Sequence, residues 1–148
     1  MPVSFQIFPR RGLVLITYTG RAMLDETAEA FAAFAKHPDA AQGQKHLIDL
    51  TGVTEVENDF PRLMALQARK AGELGLPILP SMLVYLAPTP VSQRMANMIA
   101  KSWEGIPGPA VAVIADEAEA LSLVGCRERE IEGLRRRVII DDDEADTF

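Results

Sequence analysis

Lys45-His46-Leu47-Ile48-Asp49-Leu50-Thr51-Gly52-Val53 decides the fold class, because an apolar strand core runs directly into Asp-Leu-Thr-Gly, residues that commonly end strands and build turns. The chain continues through Thr54-Glu55-Val56-Glu57-Asn58-Asp59 into a helical pattern that starts at Phe60. Leu47 to Leu50 therefore reads as a buried strand, and Asp59 as the cap of a helix turning Phe60, Leu63, Met64, Ala68 and Ala71 toward a sheet. A strand that ends in polar residues and hands over to a helix is where open α/β sheets place their ligands.

Working upstream, Val3 to Phe8 and Leu13 to Thr19 are β-rich runs joined by Pro9-Arg10-Arg11-Gly12, which predicts an antiparallel pair with Gly12 taking an awkward backbone angle. Asp25 then reads as an N-cap, followed by Ala28, Phe31, Ala32, Phe34 and Ala35 at near-helical spacing, with a stop at His37-Pro38. Downstream, Gly72 to Pro80 ends the second helix, and Met82 to Leu86 is a third buried run. Thr89-Pro90 is a cap and first-turn pair for a helix carrying Val91, Met95, Met98, Ile99 and Trp103. Gly105 to Pro109 breaks that helix, and Ala110 to Ile114 is the last strand. Asp116-Glu117-Ala118-Glu119 then has the form of a capping box leading to Leu121, Val124 and the stop at Gly125. The order ββαβαβαβα predicts an α/β fold: one layer of four to five mixed strands, the later ones parallel, with helices packed on it.

Composition narrows the function classes. The chain has 148 residues, 48% hydrophobic and 24% charged, which suits one domain with one core. A net charge of -6 disfavours a phosphate-binding surface, so nucleic acid is not an expected partner. Apolar runs are broken by Pro, Gly or Asp well short of the roughly 20 residues that span a bilayer, so no membrane insertion is expected. With a single cysteine, Cys126, and no secretory leader pattern, the expected location is the cytoplasm.

The last 22 residues differ in kind: residues 127–148 carry 8 acids and 5 bases. Residues 1–125 thus read as the domain, and 126–148 as a charged extension whose first part forms a solvated helix laced with Arg and Glu. Val138-Ile139-Ile140, held between opposite charges, reads as an edge strand for this sheet or a partner's.

The strand order, with Leu47-Ile48-Asp49-Leu50-Thr51-Gly52-Val53 as central strand and turn, resembles the STAS domain, specifically its SpoIIAA-like branch, over about residues 3–125. The resemblance implies a regulatory, non-enzymatic module acting through protein contacts. In anti-sigma factor antagonists of this family a Ser at the start of the helix after this strand is phosphorylated. Here the matching stretch is Glu57-Asn58-Asp59-Phe60, without Ser or Thr, so the phosphorylation switch is not expected. A permanent carboxylate at Asp59 would use the same helix-end field as a phosphate, or it simply caps the helix.

The interaction positions expected on this reading are Asp49, Thr51, Thr54, Asn58, Asp59 and Arg62, with the neighbouring start of the Thr89-Pro90 helix and a basic face of Arg62, Arg69 and Lys70. The expected partners are proteins, including a second copy in a homodimer. An enzyme reading would draw on Asp49, Thr51, Glu55, His46 and Tyr85, yet the chain has no nucleophile elbow, P-loop or G-x-G-x-x-G. No catalytic residue, cofactor or metal is therefore expected. His37 and His46 read as structural, and Cys126 as incidental despite Arg127 and Arg129 nearby. The alternative is a carrier or sensor of a small molecule or lipid, with Met64, Tyr85, Met95 and Trp103 lining an apolar pocket between helices and sheet.

Overall fold

Apolar runs of period two build five strands, and each later strand is followed by a helix that carries the chain back across the sheet. The computed structural model describes residues 2–66, 68–69, 80–104 and 108–136. In chain order the elements are β1 (Val3–Phe8), β2 (Leu13–Ala22), α1 (Leu24–Ala35), β3 (Lys45–Val56) and α2, helical at 60–66 and 68–69. They continue with β4 (Met82–Leu86), α3 (Pro90–Trp103), β5 (Ala110–Ile114), α4 (Glu117–Leu123) and α5, helical at 131–136. A 3-10 turn, Pro9–Arg11, joins β1 to β2 and ends at Gly12 with φ 61°, the left-handed angle expected of that glycine.

The sheet order is β1-β2-β3-β4-β5, with β1 antiparallel to β2 and every other neighbour parallel. The α/β class and mixed sheet expected from the sequence are therefore what the chain forms. Each parallel crossover steps in the same direction, so right-handed connections put α1, α2 and α3 on one face. That face carries the larger core, where Leu24, Leu63, Leu66, Met95 and Ile99 from the helices meet Ile48, Leu83 and Tyr85 of the sheet. The opposite face buries Leu13, Leu15, Leu47, Val84 and Leu86 under Ala120 and Leu121 of α4 and Ile131 and Leu134 of α5.

The Asp-Leu-Thr-Gly stretch does not end β3. The strand runs on to Val56, pairing with β2 from Thr17↔Asp49 to Thr19↔Gly52 and on to Ala22↔Val56. Two β3 residues, Leu50 and Thr51, thus stand opposite Tyr18 alone, which is a bulge. The Asp49 carboxylate accepts the Thr51 N–H at 3.0 Å, serving a donor that lies outside the ladder. A Cβ on Gly52 would sit 3.2 Å from Thr19 Cγ2 and 3.3 Å from the Tyr18 carbonyl, so any other residue would require the two strands to give by a few tenths of an ångström. The turn-forming residues are real signals, spent on a bulge. Its effect is a change of parity: Ile48 and Leu50 face the larger core, and so does Val53, three residues on.

Helix α1 starts two residues earlier than expected and is capped differently. Its N-cap is Met23, which makes no side-chain cap, and Asp25 lies inside the first turn. Its inward residues are Leu24, Ala28, Ala30 and Phe34, while Ala32 and Ala35 are exposed. In α2, Leu63 and Leu66 are buried, Ala68 is exposed and Met64 is 36% exposed; Ala71 lies outside the described residues. The cap of α3 is as expected, with Thr89 and Ser92 forming a reciprocal capping box; in α4 Asp116 accepts the Glu119 N–H at 2.8 Å, which is one half of the capping box expected there.

The segment after Gly125 carries an apolar side that the charge pattern hid. Cys126, Ile131 and Leu134 are buried, the Ile131 N–H is accepted by Glu117, and Arg11 pairs with Glu128 at 2.7 Å. The solvated helix expected here is thus docked on the sheet, whereas Val138-Ile139-Ile140 lies outside the described residues. Because Leu134 is 0% exposed, Leu134→Ala is expected to cost about 2–5 kcal/mol in urea unfolding. A loss under about 0.5 kcal/mol, usual for surface sites, would mean that α5 does not belong to the core.

Candidate functional site

The expected interaction positions fall into two separate groups. Asp49 points to the α4 and α5 face, opposite the inward-facing Ile48 and Leu50, and its hydrogen bond is spent on the bulge. Thr51, Thr54, Asn58 and Asp59 are exposed. Asp59 caps α2, accepting the Arg62 N–H at 3.1 Å.

Arg62 does not present a free basic surface. Its guanidinium donates to Glu57 at 3.2 Å and pairs with Asp25 of α1. Lys70, the other end of the expected basic face, lies outside the described residues.

Glu57, which sequence reasoning passed over, holds this corner together. Met23 offers α1 no cap, so the first helical N–H, that of Leu24, is an orphan donor. Glu57 accepts it at 2.9 Å, while its own N–H donates to the Ala22 carbonyl at 2.9 Å. One residue thereby joins the end of β2, the start of α1 and, through Arg62, the first turn of α2. The available signal was an acidic residue in the exit loop of a strand adjacent to the one feeding α1. Its partner lies 33 residues away, beyond any local cap search.

Behind this corner lies an apolar cavity of about 110 Å³, between the sheet and the three helices of the larger core and partly open to solvent. Ile16, Tyr18, Ile48 and Tyr85 form its floor, and Phe31, Phe34, Met95, Met98 and Trp103 its walls. Met23, Leu24, Val56 and Glu57 complete the lining beside the α1 corner. Three of the four expected pocket residues, Tyr85, Met95 and Trp103, are here; Met64, on the outer side of α2, is not.

Polar atoms in the lining are few and mostly engaged. The Tyr18 and Thr27 hydroxyls are 3.0 Å apart, and His46 packs edge-on against Phe34 with ring centroids 5.3 Å apart. Trp103 Nε1 is buried without a hydrogen-bond partner among the described residues. Its N–H lies close enough to Tyr85 to favour the phenolate, though not in hydrogen-bond geometry.

Burial pushes both phenols above their ordinary value; for Tyr85, Trp103 opposes the shift and the neighbouring Tyr18 reinforces it, and for Tyr18, Thr27 partly offsets it. Cys126, on the opposite face, is likewise pushed up by burial. The guanidinium that opposes this is Arg11's, where Arg127 and Arg129 were the expected neighbours.

Among the described residues no three His, Cys, Asp or Glu side chains stand together as a metal site. No described helix is long and apolar enough to cross a membrane. Compared with known proteins, the chain matches no family model and no curated protein.

Two outcomes follow from these contacts. Glu57→Ala strips α1 of its acceptor and is expected to cost about 1–2 kcal/mol in urea melts. Arg62→Ala removes half-exposed ion pairs worth only about 0–1 kcal/mol; the reverse ranking would overturn the corner described above. The buried phenols steepen an alkaline loss of stability that the buried Cys126 thiol begins from about pH 8.5. Below about pH 10 Tyr18 and Tyr85 are neutral in both folded and unfolded chains and add no pH dependence. Above it only the unfolded chain ionises, so stability falls by about 1.4 kcal/mol per pH unit for each tyrosine. Urea melts across this range should show the fall, with Tyr18→Phe reducing its slope by the share of one tyrosine.

Proposed function

We propose that the chain is a non-enzymatic, STAS-like regulatory module whose input is a small apolar molecule held between the sheet and α1, α2 and α3. The observation that carries this reading is the cavity of about 110 Å³ with its predominantly apolar lining. A closed apolar cavity of about 150 Å³ takes up benzene, so a one-ring molecule matches this space, particularly as one side is open. A lipid-length chain fits only by running out through that side.

The interaction-module reading finds its support in how the same segment serves both sides. Val56, Glu57 and Leu63 line the cavity, while Thr54, Asn58 and Asp59 face solvent in the same stretch. An occupant would bear on the corner that fixes α1 to α2, and protein partners would read its outer surface. A broad apolar docking patch is not what supports partner binding here, since Met64 and Leu123 are the large exposed hydrophobics among the described residues. Homodimer formation and a cytoplasmic location belong to the same proposal.

Benzene added to the purified chain should raise its Tm in a saturable way, because a ligand that binds only the folded state stabilises it by mass action. Ala30 lines the cavity from α1, and Ala30→Leu should fill the space, leave the circular dichroism spectrum unchanged and abolish the benzene response. An unaltered response in a folded Ala30→Leu protein would sink the proposal.

A further inference from the structure

The floor and one wall of the cavity converge on Tyr85 and Trp103, and their chemistry is more specific than the apolar lining around them. Trp103 is 6% exposed and its Nε1 is buried without an acceptor among the described residues, although it comes from a helix whose inward Ser92 and Ser102 are satisfied. Ser92 on the same helix closes the capping box, and the Ser102 hydroxyl donates to the Ile99 carbonyl. A buried donor left unpaired is costly, so an uncompensated indole N–H beside a cavity marks a place where an acceptor belongs.

The Tyr85 hydroxyl is the nearby group able to pass that acceptor on. A small movement lets the indole N–H donate to the Tyr85 oxygen, which leaves the phenolic O–H to donate into the cavity. Tyr18, the other phenol of the floor, already pairs with Thr27.

Charge decides what kind of acceptor fits. Among the described residues that line the cavity there is no Lys or Arg, and the one carboxylate, Glu57, is held by Leu24 N–H and Arg62. A buried carboxylate or phosphate would lack a fixed counter-charge there, which is prohibitive in an apolar site. His46, the one imidazole among the described lining residues, is packed edge-on against Phe34.

We infer that the pocket selects a neutral, mainly apolar molecule of about one ring that carries a single hydrogen-bond acceptor, a ketone, ester or ether oxygen, set against the Tyr85 hydroxyl and the Trp103 indole. This rests on the ligand-pocket reading above and adds the chemistry of the ligand to it.

Trp103 is the only tryptophan of the chain, so its indole N–H gives one resonance that needs no assignment. Titration of the full chain with acetophenone, ethylbenzene and benzoate, followed by calorimetry and by that resonance, separates the possibilities. Acetophenone and ethylbenzene should both bind and benzoate should not; acetophenone alone should move the indole N–H downfield. Tyr85→Phe should weaken acetophenone roughly five- to tenfold and leave ethylbenzene within about twofold.

If ethylbenzene binds while acetophenone leaves the indole resonance where it was, or if Tyr85→Phe weakens both ligands equally, the acceptor inference is wrong and the pocket reading stands. Benzoate binding more tightly than acetophenone would overturn the choice of a neutral ligand. If none of the three binds the wild-type chain, the pocket reading itself fails and takes this inference with it. The resonance measured on the wild-type chain keeps the test valid even where the Tyr85 variant folds poorly.

Discussion

The handedness of the crossovers governs the rest of the architecture. Four strands in parallel succession, each reached by a right-handed connection in the same direction, leave no choice about where the connecting helices lie. One face receives three helices and becomes a deep apolar layer with room for a cavity. The other receives none of them, yet it carries Leu15, Leu47, Val84 and Leu86. Covering that face falls to whatever follows β5, which is why a segment as rich in Arg and Glu as 127–136 still places Ile131 and Leu134 against the sheet.

What was legible in the sequence is what depends on near neighbours. Strand cores, the Thr89 and Asp116 caps and the Gly12 turn are settled within a few residues of themselves, and reading them locally succeeds. The bulge in β3 was not legible. Asp49, Thr51 and Gly52 have the same composition whether a strand stops or only stutters, and the outcome depends on Thr19 to Ala22 offering a second stretch of ladder. The same limit hid the role of Glu57, whose partner is supplied by another element. Met64 was misplaced for a different reason: with Leu63 inward, the next inward position is Leu66, three residues on, and the side chain beside Leu63 turns to solvent. The pocket residues on α3 and β4 were identifiable as inward-facing, but the volume between them is a property of packing that no single segment specifies.

That volume carries an energetic argument. At roughly 24 cal/mol per Å³, the figure for a closed and dry space, a cavity of about 110 Å³ sets an upper bound of about 2–3 kcal/mol that its open side lowers, and an unpaired buried indole N–H adds about 1–3 kcal/mol. Those sums are a large part of the 5–15 kcal/mol by which a domain is ordinarily stable. Replacing a lining alanine by a larger aliphatic residue, or Trp103 by Phe, is within easy reach of single substitutions. Cost retained where a simple repair exists is the usual mark of a site shaped for something other than stability.

The corner built by Glu57 also bears on how the chain tolerates changes of length. Connecting segments generally absorb inserted residues at little cost. The stretch between Val56 and Phe60 is different, because Glu57 must stay in register with Ala22 and Leu24 while Asp59 stays one turn from Arg62. One residue added there would separate the two acids from donors on different elements and shift α2 along the sheet. The connection between α1 and β3, with exposed Pro38, Asp39 and Gly43, is free of that double constraint on its outer side. Among natural or engineered length variants, gaps should therefore gather in the second loop and spare the first, though both are short, polar and on the surface.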